Sequence, residues 1–292
     1  MYNEIAANKR LSLFLMTIFI AIIIFLGYVF GRAYGDQSYA GVWIAIILSF
    51  GMTAISYFQG DKIALSINGA RPITEEENKY VYRLVENLCI TSGMKVPKIY
   101  IMDDPAINAF ATGRKPELAS IAITTGAIQK LENEELEGVI AHELSHVRNY
   151  DIRFMTLVAV LVGSISILSH IFLRSRWFSG RGRDKEGGNI LMIVGIVLAI
   201  LSPIIAELIK LAVSRRREYL ADASGSLLTR YPAGLANALE KIKMENLPVQ
   251  HAAPSCANLF LASPFSGKSF SNLFSTHPPI DDRIKRLREM TV

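Results

Sequence analysis

The sequence predicts a mainly helical α+β protein, in which a domain with a small β-sheet sits on a helical, multi-pass membrane anchor. Of its 292 residues 51% are apolar, and the mean hydropathy of +0.29 exceeds what a soluble domain of this size sustains. Four uncharged or nearly uncharged stretches approach or reach the about 20 residues that cross a bilayer as a helix. The remainder is polar and mixes helical periodicity with three short strand-like runs.

Leu11 to Phe30 is uncharged and reads as a span. It exceeds the apolar core of a signal peptide, and no A-x-A site follows it. Gly41 to Phe58 is a second uncharged stretch, so the two form a membrane hairpin. In the polar region from Gln59 to Arg153, Thr74 and Glu77 suggest a capping box that opens a helix running to about Ile90. Residues 98–102, 108–112 and 119–125 read as strands, with Gly113 and Pro116 at the turn between the last two. Glu132 to about Asn149 is a helix whose acidic start suits its N-terminus. Phe154 to Leu173 is the third apolar stretch. The fourth, 190–213, is interrupted by Pro203 and Glu207. A further helix runs through Glu218 to about Leu228 and is broken by Tyr231-Pro232 and Gly234. His251 to Pro279 reads as a long loop, and Asp281 to Met290 as a short charged helix. The expected organisation is a membrane hairpin over 1–58, a first domain part over 59–153, a second hairpin over 154–213 and a second domain part over 214–292.

His142-Glu143-Leu144-Ser145-His146 is an HExxH. Two histidines four apart on a helix lie one turn above each other, so both imidazoles reach one ion. Zinc is the natural occupant of such a nitrogen and carboxylate site. Glu143, beside the first ligand, is placed to hold a water rather than the metal, as the catalytic base. Downstream, Glu218 and Asp222 are four apart on a second helix. Glu218 can complete a His₂Glu site for one zinc ion, and Asp222 can accept the free N–H of a ligand histidine, His142 first. His142 and Glu218 meet only if the third and fourth apolar stretches cross as a hairpin or do not cross at all. Asn108 lies on an edge-like strand and can bind substrate backbone by strand addition. Asn149 and Asp151 read as the end of the helix, with any contact to the site indirect. His170 and His251 receive no role.

At these residues the chain resembles the HtpX family, the bacterial branch of the M48 zinc metallopeptidases. The stretches that carry the likeness are NAFATG at 108–113, the run from Glu135 to His146 ending in VIAHELSH, Asn149 with Asp151, EYLAD at 218–222, and His277-Pro278-Pro279 followed by Arg283. The resemblance covers essentially the whole length. It implies a zincin-like fold and a membrane endopeptidase facing the bacterial cytosol that clears misfolded membrane proteins. Prenyl-protein proteases are similar at the metal site but carry more spans. Since the motif falls on His277 and Arg283, these two are candidates for a second oxyanion donor.

Charge bears on orientation and partners. The flanks on the catalytic side hold Lys9, Arg10, Lys62, Arg71, Arg148, Arg153, Lys210, Arg215, Arg216 and Arg217, against Arg32, Arg174, Arg176, Arg181, Arg183 and Lys185 on the other. The positive-inside rule therefore favours a cytosolic site, in the inner membrane if the family likeness holds. The net charge of +5 suits anionic headgroups and is too small and scattered for nucleic acid. Cys89 and Cys256 form no disulfide framework, in keeping with a reducing compartment. Polypeptides are the expected partners. An intramembrane protease would carry its HExxH inside an apolar span, whereas 132–151 is charged. An inactive adaptor would not need Glu143. A transporter that merely binds zinc would bury charges in its spans, and three of the four stretches have none.

Overall fold

The computed structural model describes residues 2–33, 39–178, 215–265 and 277–290. Helices α1 (Tyr2–Ala33) and α2 (Ala40–Ile67) each contain a segment long and apolar enough to cross a membrane, Ile5–Tyr28 and Ala40–Ile67. Leu13, Phe14, Trp43, Ile47 and Phe50 point outward and are exposed. Facing water, they would form a large apolar patch; facing lipid, they form the surface a bilayer covers. The inner face of α2 presents Ala45, Ser49, Thr53, Ser56, Gly60 and Ala64, a small residue at nearly every turn. Small side chains let helix backbones approach. At Gly27 of α1 an added Cβ would stand 2.4 Å from the Ala45 Cβ, so this crossing leaves no room for a side chain.

α2 runs nine residues past the expected end at Phe58. Its last turns carry Asp61 and Lys62 outside the apolar run, yet Ala64 and Leu65 bury against Met102, Phe110 and Met155 of the domain. Packing therefore continues the helix where hydropathy stops. The sheet that follows has order β1-β2-β4-β3, with β1 (Ala70–Pro72), β2 (Lys98–Met102), β3 (Ala109–Thr112) and β4 (Ser120–Thr124). β2 and β4 are parallel, and the other two pairings are antiparallel. Three strands match the sequence reading to within a residue at either end. β1 is three residues long with Pro72 at its end, too short for a periodicity signal and acceptable at an edge. Both sheet faces are covered: Ile99, Ile101, Ala109 and Ile121 face one core cluster, and Phe110 and Ala122 face another.

α3 (Lys79–Ser92) begins later than the Thr74–Glu77 pair suggests. The Thr74 N–H does donate to Glu77 Oε2 at 2.8 Å, but this closes a turn; the helix is capped by Asn78, whose Oδ1 accepts from the Val81 N–H at 3.1 Å. The short α4 (Thr125–Lys130) leads to α5 (Asn133–Arg148), which is buried on nearly every side. Tyr150 at φ +62 reverses the chain into α6 (Asp151–Phe178). The fourth apolar stretch, 190–213, lies outside the described residues, as does the basic loop from residue 179 onward. Then come α7 (Arg215–Thr229), α8 (Pro232–Glu245) and α9 (Ile280–Arg288). The break at Tyr231-Pro232 is also a start, because Pro232 sits at the first position of α8, where a missing N–H is harmless. The expected long loop is partly built: residues 254–259 form a 3-10 helix, Phe260 bridges to Phe110, and the Leu261 N–H donates to Ala109 O at 2.9 Å. Residues 266–276 of that loop lie outside the described residues. Cys89 and Cys256 are buried and unpaired.

Candidate active site

α5 presents His142 and His146 on one face, and α7 crosses it with Glu218. The crossing is close. A Cβ on Gly225 of α7 would lie 2.9 Å from the His142 backbone nitrogen, so only glycine lets the two helices meet at this level. One donor atom from each of His142, His146 and Glu218 falls within 4.8 Å of the others, and all three residues are buried. His142 Nε2 and His146 Nε2 are 3.2 Å apart; Glu218 Oε2 is 3.8 Å from the first and Oε1 is 3.5 Å from the second.

The other ring nitrogen of each histidine faces a carboxylate. His142 Nδ1 stands 2.9 Å from Asp222 Oδ1, the partner expected from the sequence, and His146 Nδ1 stands 2.9 Å from Asp151 Oδ2. Carboxylates accept, so each Nδ1 carries a proton and each Nε2 points inward, bare on His142 and free to coordinate on His146 once its second proton leaves. At 3.2 Å the two Nε2 atoms need a metal ion or a proton between them; in the metal-free fold the protonated His146 donates from Nε2 to His142 Nε2. Two nitrogens about 2.1 Å from a tetrahedral ion stand about 3.4 Å apart, close to the observed separation. Glu218 Oε2 and both carboxylate oxygens of Glu143 are buried without a well-aligned hydrogen bond among the described residues, the Ala111 backbone being the nearest donor to Glu143. These donors fit a metal ion of the zinc type.

The electrostatics follow from burial and from these pairs. Burial raises the Glu143 carboxyl to about 7, the Glu218 charge adding to it against His146 and Arg283. Burial alone would lower His146, but the Asp151 hydrogen bond and the Glu218 and Asp151 charges hold it at about 9. For Glu218, burial would raise the carboxyl; the charges of His146, His277, Arg283 and His142 outweigh it and lower it. Asp222 is likewise held well down, burial being overcome by the Arg283 guanidinium and by His142.

Arg283 and His277, the two oxyanion-donor candidates, both lie beside the site and are engaged with protein groups there. Arg283 is 1% exposed and uses three of its N–H donors: Nε to Asp222 Oδ2 at 2.9 Å, Nη2 to Asp222 Oδ1 at 2.7 Å and Nη1 to Leu261 O at 2.7 Å. It clamps the carboxylate that orients His142. His277 donates from Nε2 to Phe260 O at 2.6 Å, and burial lowers its pKa to about 4. A neutral ring that donates from Nε2 offers only an acceptor at Nδ1. Asn108 also departs from expectation. It is buried, its Nδ2 donates to Ala262 O at 3.1 Å, and its Oδ1 accepts from the Ala109 N–H at 3.0 Å. Phe260 and Leu261 occupy the β3 edge that an added strand would need. Asp151, read from sequence as a helix end, contacts His146 directly. The signal was an acidic residue five positions after the second histidine, just past the C-cap.

Residues 75–291 match the model of peptidase family M48. A protease HtpX homologue of Dictyoglomus thermophilum is 47% identical over 99% of this chain and 94% of its own length. A protease HtpX homologue of Ligilactobacillus salivarius is 41% identical over 99% of this chain and all of its own. The crystal structure of S. mikatae Ste24p superposes with a TM-score of 0.53 at 19% identity, covering 98% of this chain and 67% of that one, which is a likeness of fold. With its HExxH, its distant third carboxylate and two helices able to cross a membrane, the chain belongs to peptidase family M48, in the HtpX branch of membrane proteases.

Proposed function

We propose that the chain is a zinc-dependent endopeptidase that cuts misfolded or damaged membrane proteins at the cytosolic face of the bacterial inner membrane. The observation that carries this reading is the pair of inward Nε2 atoms 3.2 Å apart, closed by Glu218, with the buried Glu143 beside them. His142, His146 and Glu218 would hold the zinc. Bound there, the ion supplies Lewis acidity toward a water and a scissile carbonyl. Glu143 is the base: its buried carboxylate, raised toward 7, takes the water's proton and returns it to the leaving nitrogen. Asp222 and Asp151 keep the two imidazoles in the ligand tautomer, and Arg283 fixes Asp222. Asn108, Phe260 and Leu261 shape the wall at β3.

The substrate class is supported by the height of the site. Asn8 of α1 hydrogen-bonds Asp151, and it lies three residues, about 4.5 Å of helix rise, before the apolar stretch begins. A bond cut there lies at the bilayer surface, where an extracted or collapsed membrane segment emerges. The excess of Lys and Arg on this flank supports the cytosolic side. α6, 28 residues long, is proposed as a third span.

The detergent-purified chain and its Glu143→Gln variant test the chemistry together. One zinc per chain in both, with cleavage of an unfolded membrane protein only by the parent, is the expected result. Absence of zinc from the parent would sink the metal assignment. Equal cleavage of soluble unfolded chains would sink the substrate class.

A further inference from the structure

The membrane hairpin sends one buried polar side chain into the site. Asn8 of α1 is 2% exposed, and its amide is engaged at both ends. Nδ2 donates to Asp151 Oδ1 at 2.6 Å and to Asn149 O at 3.0 Å, while Oδ1 accepts from Arg217 Nη1 at 3.2 Å. A guanidinium only donates and a carboxylate only accepts, so these partners fix which way the amide faces.

Each of the three partners adjoins a ligand. Asp151 uses its other oxygen, Oδ2, to hold His146 Nδ1 at 2.9 Å. Asn149 is the C-cap of α5, the helix that bears both histidines. Arg217 precedes Glu218 on α7 and stacks over Phe154 of α6, 5.2 Å from its ring centre. One amide therefore ties the end of α5, the start of α6 and the start of α7 to the first membrane helix. A residue that only filled space here would need the shape of asparagine but not its donor. An unpaired amide at such depth would be costly.

We propose that Asn8 is a positioning residue of the metal site. It fixes Asp151 so that His146 presents Nε2, and it pins Arg217, and with it the start of α7, at the same point. The first membrane helix is thereby a structural part of the metal centre and not only its anchor. The proposal rests on the reading that His142, His146 and Glu218 bind a metal.

Three full-length variants test it. Asn8→Asp keeps the shape and the acceptor for Arg217 but sets a carboxylate against Asp151. Asn8→Asp combined with Asp151→Asn exchanges donor and acceptor, so that residue 151 can donate to residue 8 and still accept from His146; the bond to Asn149 O stays lost, so the recovery is partial. Ser12→Ala removes a buried hydroxyl one turn further along α1 that, among the described residues, bonds the Asn8 backbone carbonyl. Zinc affinity is read by chelator competition, and ligand geometry by the visible spectrum of the cobalt-substituted protein. Asn8→Asp is expected to lose about 10-fold or more in zinc affinity, within the range seen when groups behind a ligand are removed. Its cobalt spectrum should change, the exchanged double variant should regain part of the affinity, and Ser12→Ala should match the parent. Should Asn8→Asp not fold, Asn8→Ser, which loses the reach without adding charge, carries the same readout. Affinity within twofold of the parent, or a double variant no tighter than Asn8→Asp alone, would overturn the proposal. A parent that binds no zinc would instead overturn the reading on which it rests.

Discussion

Replacing Arg283 by lysine separates two roles that one residue can play beside a metal. The guanidinium makes three bonds of 2.7–2.9 Å, two to Asp222 and one to Leu261 O, and its Nη1 stands 3.7 Å from Glu218 Oε2. Lysine keeps the charge but has no planar fork, so it cannot hold both oxygens of Asp222 and reach Leu261 O together. Removing one partner of a buried pair costs about 3–5 kcal/mol. Lysine should forfeit part of that, and Arg283→Met most of it. The loss passes to the metal through Asp222 and His142. Zinc affinity should fall about 10- to 100-fold, equivalent to about 1.4–2.7 kcal/mol. The assay is zinc binding by chelator competition, run beside turnover at saturating zinc. With zinc restored, kcat should return most of the way. The reverse pattern would refute this reasoning: unchanged zinc affinity with kcat down about 100- to 1,000-fold is what loss of an oxyanion donor gives.

Gly225→Ala should weaken zinc binding, because the new Cβ would sit 2.9 Å from the His142 backbone nitrogen and push α7, with Glu218, away from α5; Gly51→Ala on α2, where nothing lies within 4 Å, should match the parent in the same titration. The acid limb of kcat/KM should lie between the ordinary carboxyl value of 4.5 and about 7. Burial raises Glu143 in the metal-free fold, a bound dication pulls it back, and the base works only when ionised. A limb below 4.5 would mean that another group is the base.

The members of the His142, His146 and Glu218 cluster were legible in the sequence because helical spacing sets the geometry within each pair. His142 with His146, and Glu218 with Asp222, each repeat at four residues, and no tertiary knowledge is needed to place such a pair on one face. Strands β2, β3 and β4 were legible because apolar runs were punctuated by Gly113 and Pro116. What failed was long-range. Arg283 pairs with Asp222 across 61 residues of sequence, and Asn8 pairs with Asp151 across 143. Nothing local marks either as buried. Asn108 was misread for a related reason. Its strand is an edge by topology, but residues 260–262 fold back onto it, and a Ser- and Pro-rich segment gives no period by which to see that. The extension of α2 to Ile67 was hidden because hydropathy reports the bilayer, not the domain that packs on the helix above it.

The buried charges of the site argue for a dication independently of the distances. Glu143, Asp151, Glu218 and Asp222 are all 5% exposed or less, and among the described residues Arg217 and Arg283 are the buried guanidiniums that oppose them around the histidines. Four carboxylates against two guanidiniums leave two negative charges that the interior must neutralise with a metal ion or with bound protons. The metal-free fold meets the deficit with protons: His146 is held at about 9, and Glu143 is raised to about 7. Zinc must displace the first, because a ligand nitrogen cannot keep its proton, and it must drive off the second by charge. Zinc binding at pH 7 should therefore release between one and two protons per ion, nearly one from His146 and about half from Glu143. As pH rises, the proton that competes for His146 is lost, so affinity should climb about tenfold per pH unit and level off near pH 9. Calorimetric titration in two buffers of different ionisation enthalpy reads the proton count directly. Release of no protons at pH 7, with an affinity flat from pH 6.5 to 8.5, would mean that the deficit is met by something other than His146 and Glu143, and the case for a dication would then rest on the geometry of His142, His146 and Glu218 alone.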